Sequence, residues 1–180
     1  MKTKSLILLI TFLGIFGYAQ EFPICDAIGD QGAPDVAFVG DEYIVVYDSV
    51  GDIWGTRVDV QGNVIERFFI HSPDFPDWRD TLPAVATDGE RWFVVWTARG
   101  GLSEERFLGI WGAIYEGSTV IVEPFFTATS ALCFPAISCN GNIFLIAGTY
   151  NILEVYPEPQ RGVLRGMLYD RNGNPLSGDL

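Results

Sequence analysis

Short apolar segments separated by glycine-containing turns recur along the chain from about residue 34 onward. One set begins with a proline and ends at a glycine six residues later, at 34–40, 83–89 and 135–141. A second set follows at 43–47, 92–96 and 144–148, and a third at 52–59, 109–116 and 163–170. Their short length, their Val, Ile and aromatic content and the turns between them predict β-strands rather than helices.

The strands repeat with a period of about 50 residues. The repeat prolines, Pro34, Pro83 and Pro135, are 49 and 52 residues apart. A fourth apolar segment lies at 67–71, before the second proline, and at 124–128, before the third. A fixed period of this size is typical of folds in which each repeat is one small sheet. We predict four-stranded antiparallel units at 34–82, 83–134 and 135–180, the last completed by residues 21–25.

The second strand of each unit, for example Trp92-Phe93-Val94-Val95-Trp96, is apolar on consecutive residues. An antiparallel sheet with one solvated face alternates apolar and polar residues, so both faces of these sheets are expected to be covered. Four-stranded sheets that cover one another are the blades of a β-propeller, and this all-β fold is our prediction. Small residues in the first strands, such as Ala37 and Ala86, suit its crowded centre. A two-sheet sandwich is the alternative, but it gives no reason for the period.

The units share the pattern P-x-V-A-x-x-G-x-x-x-V-V-W and, after a loop, D-I-W-G-x-x-V-D-x-x-G-N, which the first two units match best. This pattern resembles the repeats of secreted bacterial and archaeal β-propeller proteins, most of which are functionally uncharacterised. The resemblance covers nearly all of residues 34–176 and implies a propeller fold, but it brings no catalytic residues with it. The third unit departs from it, with Arg165 in the place of Trp54 and Trp111.

The N-terminal segment has the composition of a secretory signal peptide. Lys2 and Lys4 precede an apolar run at 6–16 that is too short to span a bilayer, and Ala19 stands where a signal peptidase cleaves. We therefore predict a signal peptide at 1–19. The mature protein, residues 20–180, is expected to be secreted or periplasmic and not inserted in a membrane.

Charge restricts the classes of partner. Without the leader the chain holds nine arginines, no lysine and 23 acidic residues, a net charge of −14. Such a surface repels nucleic-acid phosphates and anionic lipid headgroups, so neither is expected as a partner. The hydrophobic fraction of 48% excludes a chain that is disordered throughout.

The chain has three cysteines, Cys25, Cys133 and Cys139, an odd number that leaves at least one thiol outside any disulfide within the chain. If residues 21–25 complete the third unit, Cys25 and Cys133 approach each other, so any disulfide is predicted to join these two. A single histidine, His71, and the lack of a C-x-x-C motif leave too few ligands for a structural zinc site.

Loop length distinguishes the two ends of the predicted sheets. The turns at one end are short and contain glycine, whereas the loops at the other end, the long-loop end, are extended. Binding residues concentrate on such loops of a rigid scaffold, so we expect the binding surface there. Its candidate residues are Asp74, Asp77, Trp78, Arg79, Asp80, Arg99, Glu104, Arg106, Tyr150, Tyr156 and Arg161.

Acidic side chains beside an aromatic ring admit several chemistries. Asp74, Asp77 and Asp80 near Trp78 suit sugar stacking, calcium binding or catalysis by paired carboxylates. An ordinary acidic loop between two units is the simpler interpretation. We predict no catalytic residue, and Ca²⁺ is the one cofactor kept open. Its candidate ligands are Asp48, Asp52, Asp74 and Asp77.

His71 follows a strand and has no identifiable nucleophile to activate, so we expect a solvated histidine at a strand end rather than a general base. The first strand of each unit is expected to lie at the central channel of the propeller, and these strands carry a single acid, Asp35. A catalytic centre near this channel needs several acids. Both observations favour binding over catalysis.

We interpret the chain as a secreted, non-catalytic β-propeller module that binds a protein or a glycan through its long-loop end. A glycan-active hydrolase or lyase of a propeller family is the alternative, and a piece of a longer propeller without a separate function is another. Three units are fewer than the four to eight of a closed propeller. We therefore expect either a homodimer or the remainder of a longer propeller to complete the ring.

Overall fold

The computed structural model describes residues 21–26, 29–100, 107–127, 132–150 and 163–176. These residues are all-β. The predicted signal peptide lies outside them. Their strands are β1 (Gln31–Val39), β2 (Glu42–Ser49), β3 (Asp52–Asp59), β4 (Val64–His71), β5 (Arg79–Thr87), β6 (Arg91–Gly100), β7 (Phe107–Glu116), β8 (Thr119–Phe126), β9 (Leu132–Cys139), β10 (Ile143–Tyr150) and β11 (Val163–Asp170). No helix in this part of the chain has the length and apolar character to cross a membrane.

The strands form three antiparallel sheets, each with its strands paired in chain order. Sheet 1 contains β1 to β4, sheet 2 contains β5 to β8, and sheet 3 contains β9 to β11. The predicted all-β class and the division into three antiparallel units are therefore confirmed. The sheets form an open stack and not a closed ring.

Sheet 2 lies between the other two and is covered on both faces. On one face Val85, Trp92 and Val94 pack against residues of sheet 1 such as Ile44 and Val46. On the other face Ala86, Phe93 and Val95 pack against residues of sheet 3 such as Phe144 and Ile146. We call the face turned to the preceding sheet the front face and the face turned to the following sheet the back face. Consecutive apolar residues in β6 thus point alternately into two cores, as the sequence predicted.

The first strands of the three sheets, β1, β5 and β9, are called the inner strands, and each begins a few residues before its repeat proline. The residues that precede the prolines, Ala33, Leu82 and Phe134, all have positive φ angles, of 45°, 56° and 56°. The ladder register shifts at the same place in all three sheets. Proline has no N–H to give to a ladder, so a bulge is where a strand tolerates it. The prolines therefore mark a bulge inside each inner strand rather than its start.

The sheets are tied together by hydrogen bonds at this bulge. The N–H of Leu82 donates to Asp48 Oδ2 of sheet 1 at 3.1 Å, and the N–H of Phe134 donates to Thr97 Oγ1 of sheet 2 at 3.1 Å. Asp48 and Thr97 each stand fourteen residues after the proline of their own repeat. Equivalent residues thus fasten each sheet to the next.

The N-terminal segment lies on sheet 1. Ile24 and Cys25 pack on its front face against Val45, Tyr47 and Val58. The sequence instead predicted that residues 21–25 complete the third unit, but in the described part of the chain this segment contacts sheet 1, and sheet 3 has the three strands β9 to β11.

The predicted disulfide is likewise not formed, and all three cysteines of the described chain are thiols. Cys25 belongs to the core on sheet 1, whereas Cys133 lies in β9 of sheet 3. The prediction depended on residues 21–25 reaching sheet 3. Burial raises the pKa of the Cys133 thiol and of the Cys139 thiol, so both are held in the protonated form.

Two equivalent aspartates close the turns that follow the third strands. Asp59 Oδ1 accepts the N–H groups of Gln61 and Asn63, and Asp170 accepts those of Asn172 and Asn174 in the same way. Hydrogen bonds from the Asn63 and Asn174 side chains are the main reason that the pKa of each aspartate is lowered. The repeat therefore extends to its turn chemistry.

Candidate functional site

The loop between β4 and β5 is held in place at both ends. Ser72 Oγ donates to Asp52 Oδ1 at 2.7 Å, and Arg79 Nη1 donates to the carbonyl of Val50 at 3.2 Å. The N–H of Asp80 donates to the carbonyl of Gly51 at 2.8 Å. These bonds fix residues 72–78 to the β2–β3 hairpin of sheet 1.

Aromatic side chains dominate the centre of this loop. The Trp78 indole packs directly over Gly100, where a Cβ atom would lie 2.3 Å from the ring. The Phe75 ring lies 5.7 Å from that of Trp78 and is 60% exposed. Asp74 and Asp77 are exposed beside them. We call Asp74, Phe75, Asp77 and Trp78 the loop patch. It is an anchored aromatic surface on a loop that also carries two exposed aspartates.

The structure brings His71 and Asp80 together next to the loop patch, as the ends of the strands that the loop connects. His71 Nδ1 lies 2.5 Å from Asp80 Oδ2, and the Asp80 side chain is 1% exposed. The imidazole also contacts two indoles, with ring centroids 5.2 Å from Trp96 and 5.8 Å from Trp111. The expected solvated histidine is thus half-buried and paired.

The charged form of the Asp80 carboxylate is disfavoured by burial. Burial raises the pKa of Asp80, and the hydrogen bond from His71 offsets this only in part. Trp96 also acts to lower that pKa, yet Asp80 Oδ1 and Trp96 Nε1 are both buried without an aligned hydrogen bond. A buried carboxylate with one satisfied oxygen favours its neutral form more than an exposed aspartate does. The contacts described for His71 include no hydroxyl or thiol for it to activate, so the pair has no nucleophile.

A cleft of about 540 Å³ opens along the outer edges of sheets 1 and 2, beside His71. Its walls come from β4 and from the β7–β8 hairpin. Burial, with a smaller contribution from the Glu123 charge, raises the pKa of Tyr115 in this cleft to about 12, so its phenol stays protonated. The lining residues are Phe69, Ile70, His71, Tyr115, Ser118, Val120, Glu123 and Pro124.

A second cavity, of about 390 Å³, lies where the three inner strands meet. The residues around the three repeat prolines line it together, so equivalent segments of all three sheets converge on one place. Asp35 is its one acidic lining residue, and both of its carboxylate oxygens accept backbone N–H groups, from Val36 and Val85. This cavity is apolar in character and has no unengaged carboxylate.

Most described members of the predicted binding set lie at the long-loop end. Asp74, Asp77, Arg79 and Arg99 are exposed there, and Trp78 is half-buried. Arg79 and Arg99 are paired in the β5–β6 ladder. Asp80 is the exception, because it is buried against His71. Tyr150 ends β10, in register with Leu132 and Val163. Glu104, Arg106, Tyr156 and Arg161 lie outside the described residues.

The carboxylates proposed as calcium ligands do not gather into one site. Asp48 binds the Leu82 N–H and Asp52 binds Ser72, whereas Asp74 and Asp77 lie on the loop. Within the described ranges no three His, Cys, Asp or Glu side chains are grouped so that they could hold a metal ion.

The predicted site contained Asp80 but neither its partner His71 nor Phe75. The pair joins strands of two different sheets, so the period of apolar residues within one strand carries no sign of it. Phe75 stands between two prolines of the loop, and its position beside Trp78 was the signal that could have identified it.

Comparison of the chain with protein-family models, with curated proteins and with solved structures finds no match.

Proposed function

We propose that the three sheets are successive blades of a β-propeller and that the chain is a non-catalytic module which binds a glycan through the loop patch. Front-to-back stacking of the sheets and the convergence of their inner strands on one cavity support the propeller assignment. The predicted signal peptide supports action outside the cytoplasm. The net charge of −14 that remains without this leader supports a partner that is not a polyanion.

One observation carries the binding proposal, namely the exposed Phe75 ring beside Trp78, in a loop that also carries the exposed residues Asp74 and Asp77. Aromatic rings stack on the apolar faces of sugars, and carboxylates accept hydrogen bonds from sugar hydroxyls. Because the loop is anchored to the β2–β3 hairpin, little conformational entropy is lost when a ligand binds. A protein partner is the alternative occupant of the same surface.

The hydrolase or lyase alternative receives less support. Glycoside hydrolysis generally needs two carboxyl groups facing one bond, roughly 5 to 10 Å apart. The cavity at the inner strands has Asp35 alone, with both oxygens engaged, and the buried Asp80 is bound to His71. We therefore assign recognition rather than bond cleavage to this chain.

Binding of cello-, xylo- and manno-oligosaccharides to the purified chain, measured by calorimetry, tests this proposal. We expect Phe75→Ala to weaken binding at least ~10-fold without changing the unfolding free energy, because exposed aromatics at a binding site contribute mainly to recognition. Phe22→Ala is the matched control, since Phe22 is an exposed aromatic that contacts Gly62 in a short turn, away from the loop patch.

Equal affinity of the Phe75→Ala and wild-type proteins would contradict the proposal. Absence of binding to the whole oligosaccharide panel would contradict the glycan assignment and favour a protein partner. N-terminal sequencing of the exported protein tests the predicted leader, and we expect Gln20 as the first residue.

A further inference from the structure

The front face of sheet 1 exposes side chains at the repeat positions that sheet 2 buries against sheet 1. Val36 and Val85 both stand two residues after their repeat proline, yet Val36 is 55% exposed whereas Val85 is 6% exposed. Tyr43 and Trp92 both stand nine residues after it, with exposures of 42% and 0%. Phe38 pairs with Tyr43 across the ladder and is also exposed. This front face has the composition of a sheet interface, but no sheet of the described residues packs against it.

The back face of sheet 3 exposes side chains at repeat positions that are buried on the back faces of sheets 1 and 2. Leu145 is 45% exposed, whereas the equivalent residues of the other repeats, Ile44 and Phe93, are fully buried. Ser138 is exposed in the same way, although its counterparts Ala37 and Ala86 are buried. The stack therefore ends in two different faces, each matching one side of the sheet interfaces already present within the chain.

The two end faces also carry residues equivalent to the donors and acceptors of the hydrogen bonds between sheets. Thr149 stands fourteen residues after Pro135, in the place of Asp48 and Thr97. Ala33 precedes Pro34, in the place of Leu82 and Phe134, and shares their positive φ angle. Among the described residues neither the Thr149 hydroxyl nor the Ala33 N–H makes the bond that its counterparts make.

The N-terminal segment adds a third correspondence. In sheet 1 the end of β4 brings His71 onto Trp96 and Trp111 of the following sheet. Cys25 packs against the cluster that contains Tyr47 of sheet 1, and Trp54 borders the same cluster. Tyr47 and Trp54 are the counterparts of those two tryptophans in the first repeat. The segment thus occupies the place that the last strand of a preceding sheet would occupy, while the described part of sheet 3 has no fourth strand.

We propose that a second copy of this chain docks head to tail on the first, with the front face of sheet 1 of one copy against the back face of sheet 3 of the other. In each contact the Ala33 N–H of one copy donates to the Thr149 hydroxyl of the next. A heterologous contact of this kind closes only if the rotation between sheets permits it. Two copies supply six sheets, which lies within the four to eight blades of a closed propeller, so the assembly is a ring of two copies.

A second copy is the occupant because the contact continues an interface that the chain already forms twice, between sheets 1 and 2 and between sheets 2 and 3. Both halves of the missing interface are present on every copy. An unrelated partner would have to imitate one face of this repeat and would leave the other face exposed. Exposed apolar faces that are both complementary and carried by one chain favour self-association.

Sedimentation of the purified full chain, with single substitutions in each face, tests the proposal. We expect a dimer for the wild type and a monomer for both Phe38→Glu and Leu145→Glu, because either charge would be buried in a head-to-tail contact. Mixing the two variants should restore a one-to-one dimer, since the Leu145→Glu copy still offers an intact front face and the Phe38→Glu copy an intact back face. Val60→Glu, at an exposed turn residue outside both faces, is the control and should remain dimeric.

The same measurement identifies each way in which the proposal fails. A monodisperse wild-type monomer would overturn it, and so would a longer polymer, because the ring would then not close at two copies. A dimer that one of the two variants leaves intact would show that like faces pair. Circular dichroism melts establish that each variant is folded. Thr149→Val keeps the shape of the face and should weaken dimerisation about 2- to 10-fold through the lost hydrogen bond. An unchanged dissociation constant would contradict the proposed bond.

Discussion

Trp92 in sheet 2 and Tyr43 in sheet 1 occupy the same position of the repeat, yet the first is completely buried and the second is 42% exposed. The two sheets have the same topology and the same apolar pattern in their second strands. Only the neighbours differ. Sheet 2 is covered by a sheet on each side, whereas among the described residues only the short N-terminal segment covers the front of sheet 1. An apolar pattern therefore records the faces that a sheet is suited to cover, while its position in the stack decides which of them are buried.

The largest difference in unfolding free energy should appear between the alanine variants of Trp92 and Tyr43. We expect Trp92→Ala to cost about 3–5 kcal/mol of unfolding free energy, since it leaves a cavity between sheets 1 and 2. Tyr43→Ala should cost less than about 1 kcal/mol in the monomer, because an exposed ring loses few contacts. Urea unfolding of dilute protein measures both. Equal losses would break the comparison between a covered and an uncovered front face.

A smaller effect distinguishes the two threonines at equivalent positions. Thr97→Val removes the acceptor of the Phe134 N–H and should cost about 1–3 kcal/mol, the penalty for leaving a buried donor unsatisfied. Thr149→Val makes the same chemical change at the back of sheet 3, where the described part of the chain has no further sheet, and should leave the stability of the monomer unchanged. A matching loss in both variants would mean that Thr149 already has a structural partner.

The most limited effect concerns pH and the pair that joins sheets 1 and 2. The pKa of Asp80 is raised above its usual value of 3.8, mainly by burial, so the folded state binds its proton more tightly than the unfolded state does. This contribution to stability is complete below pH 3.8 and is lost as the pH rises through the folded pKa. Asp80→Asn cannot titrate, so the stability of the wild type relative to this variant should fall over that range and then become constant.

The control for this prediction is Asp77→Asn, at an exposed aspartate of the neighbouring loop. Its unfolding free energy at neutral pH should equal that of the wild type, because the Asp77 side chain is exposed. A difference between wild type and Asp80→Asn that grows with rising pH would mean that the bond to His71 outweighs the cost of burial.

The third strands of the sheets were predicted most closely from the sequence. β3 and β11 begin and end at the predicted residues, because glycine turns bound them on one side and apolar residues fill them. The outer strands were predicted less well. β8 runs from Thr119 to Phe126, although the sequence placed it at 124–128. An outer strand buries little of its surface, and Pro124 is tolerated within it, so neither apolar content nor proline marks its limits.

Features that depend on two sheets at once could not be predicted. The His71–Asp80 pair and the bond from Leu82 to Asp48 each connect residues of different sheets. Periodicity along one strand specifies which face a side chain occupies, but it does not specify what stands opposite. The positive φ of Leu82 and Phe134 was hidden for a related reason, because the residue before a proline usually takes an extended conformation.

Hydrogen exchange of three equivalent amides tests the central claim most directly, namely that each sheet is fastened to the preceding one at the residue before its repeat proline. In the dilute monomer the Leu82 and Phe134 amides should exchange slowly, near the limit set by global unfolding, because side-chain acceptors of the preceding sheet bind them. The Ala33 amide should exchange fast in the monomer and become protected when the protein concentration is raised and the copies associate. Equal protection of all three amides in the monomer, or exchange of Leu82 and Phe134 as fast as that of Ala33, would contradict it.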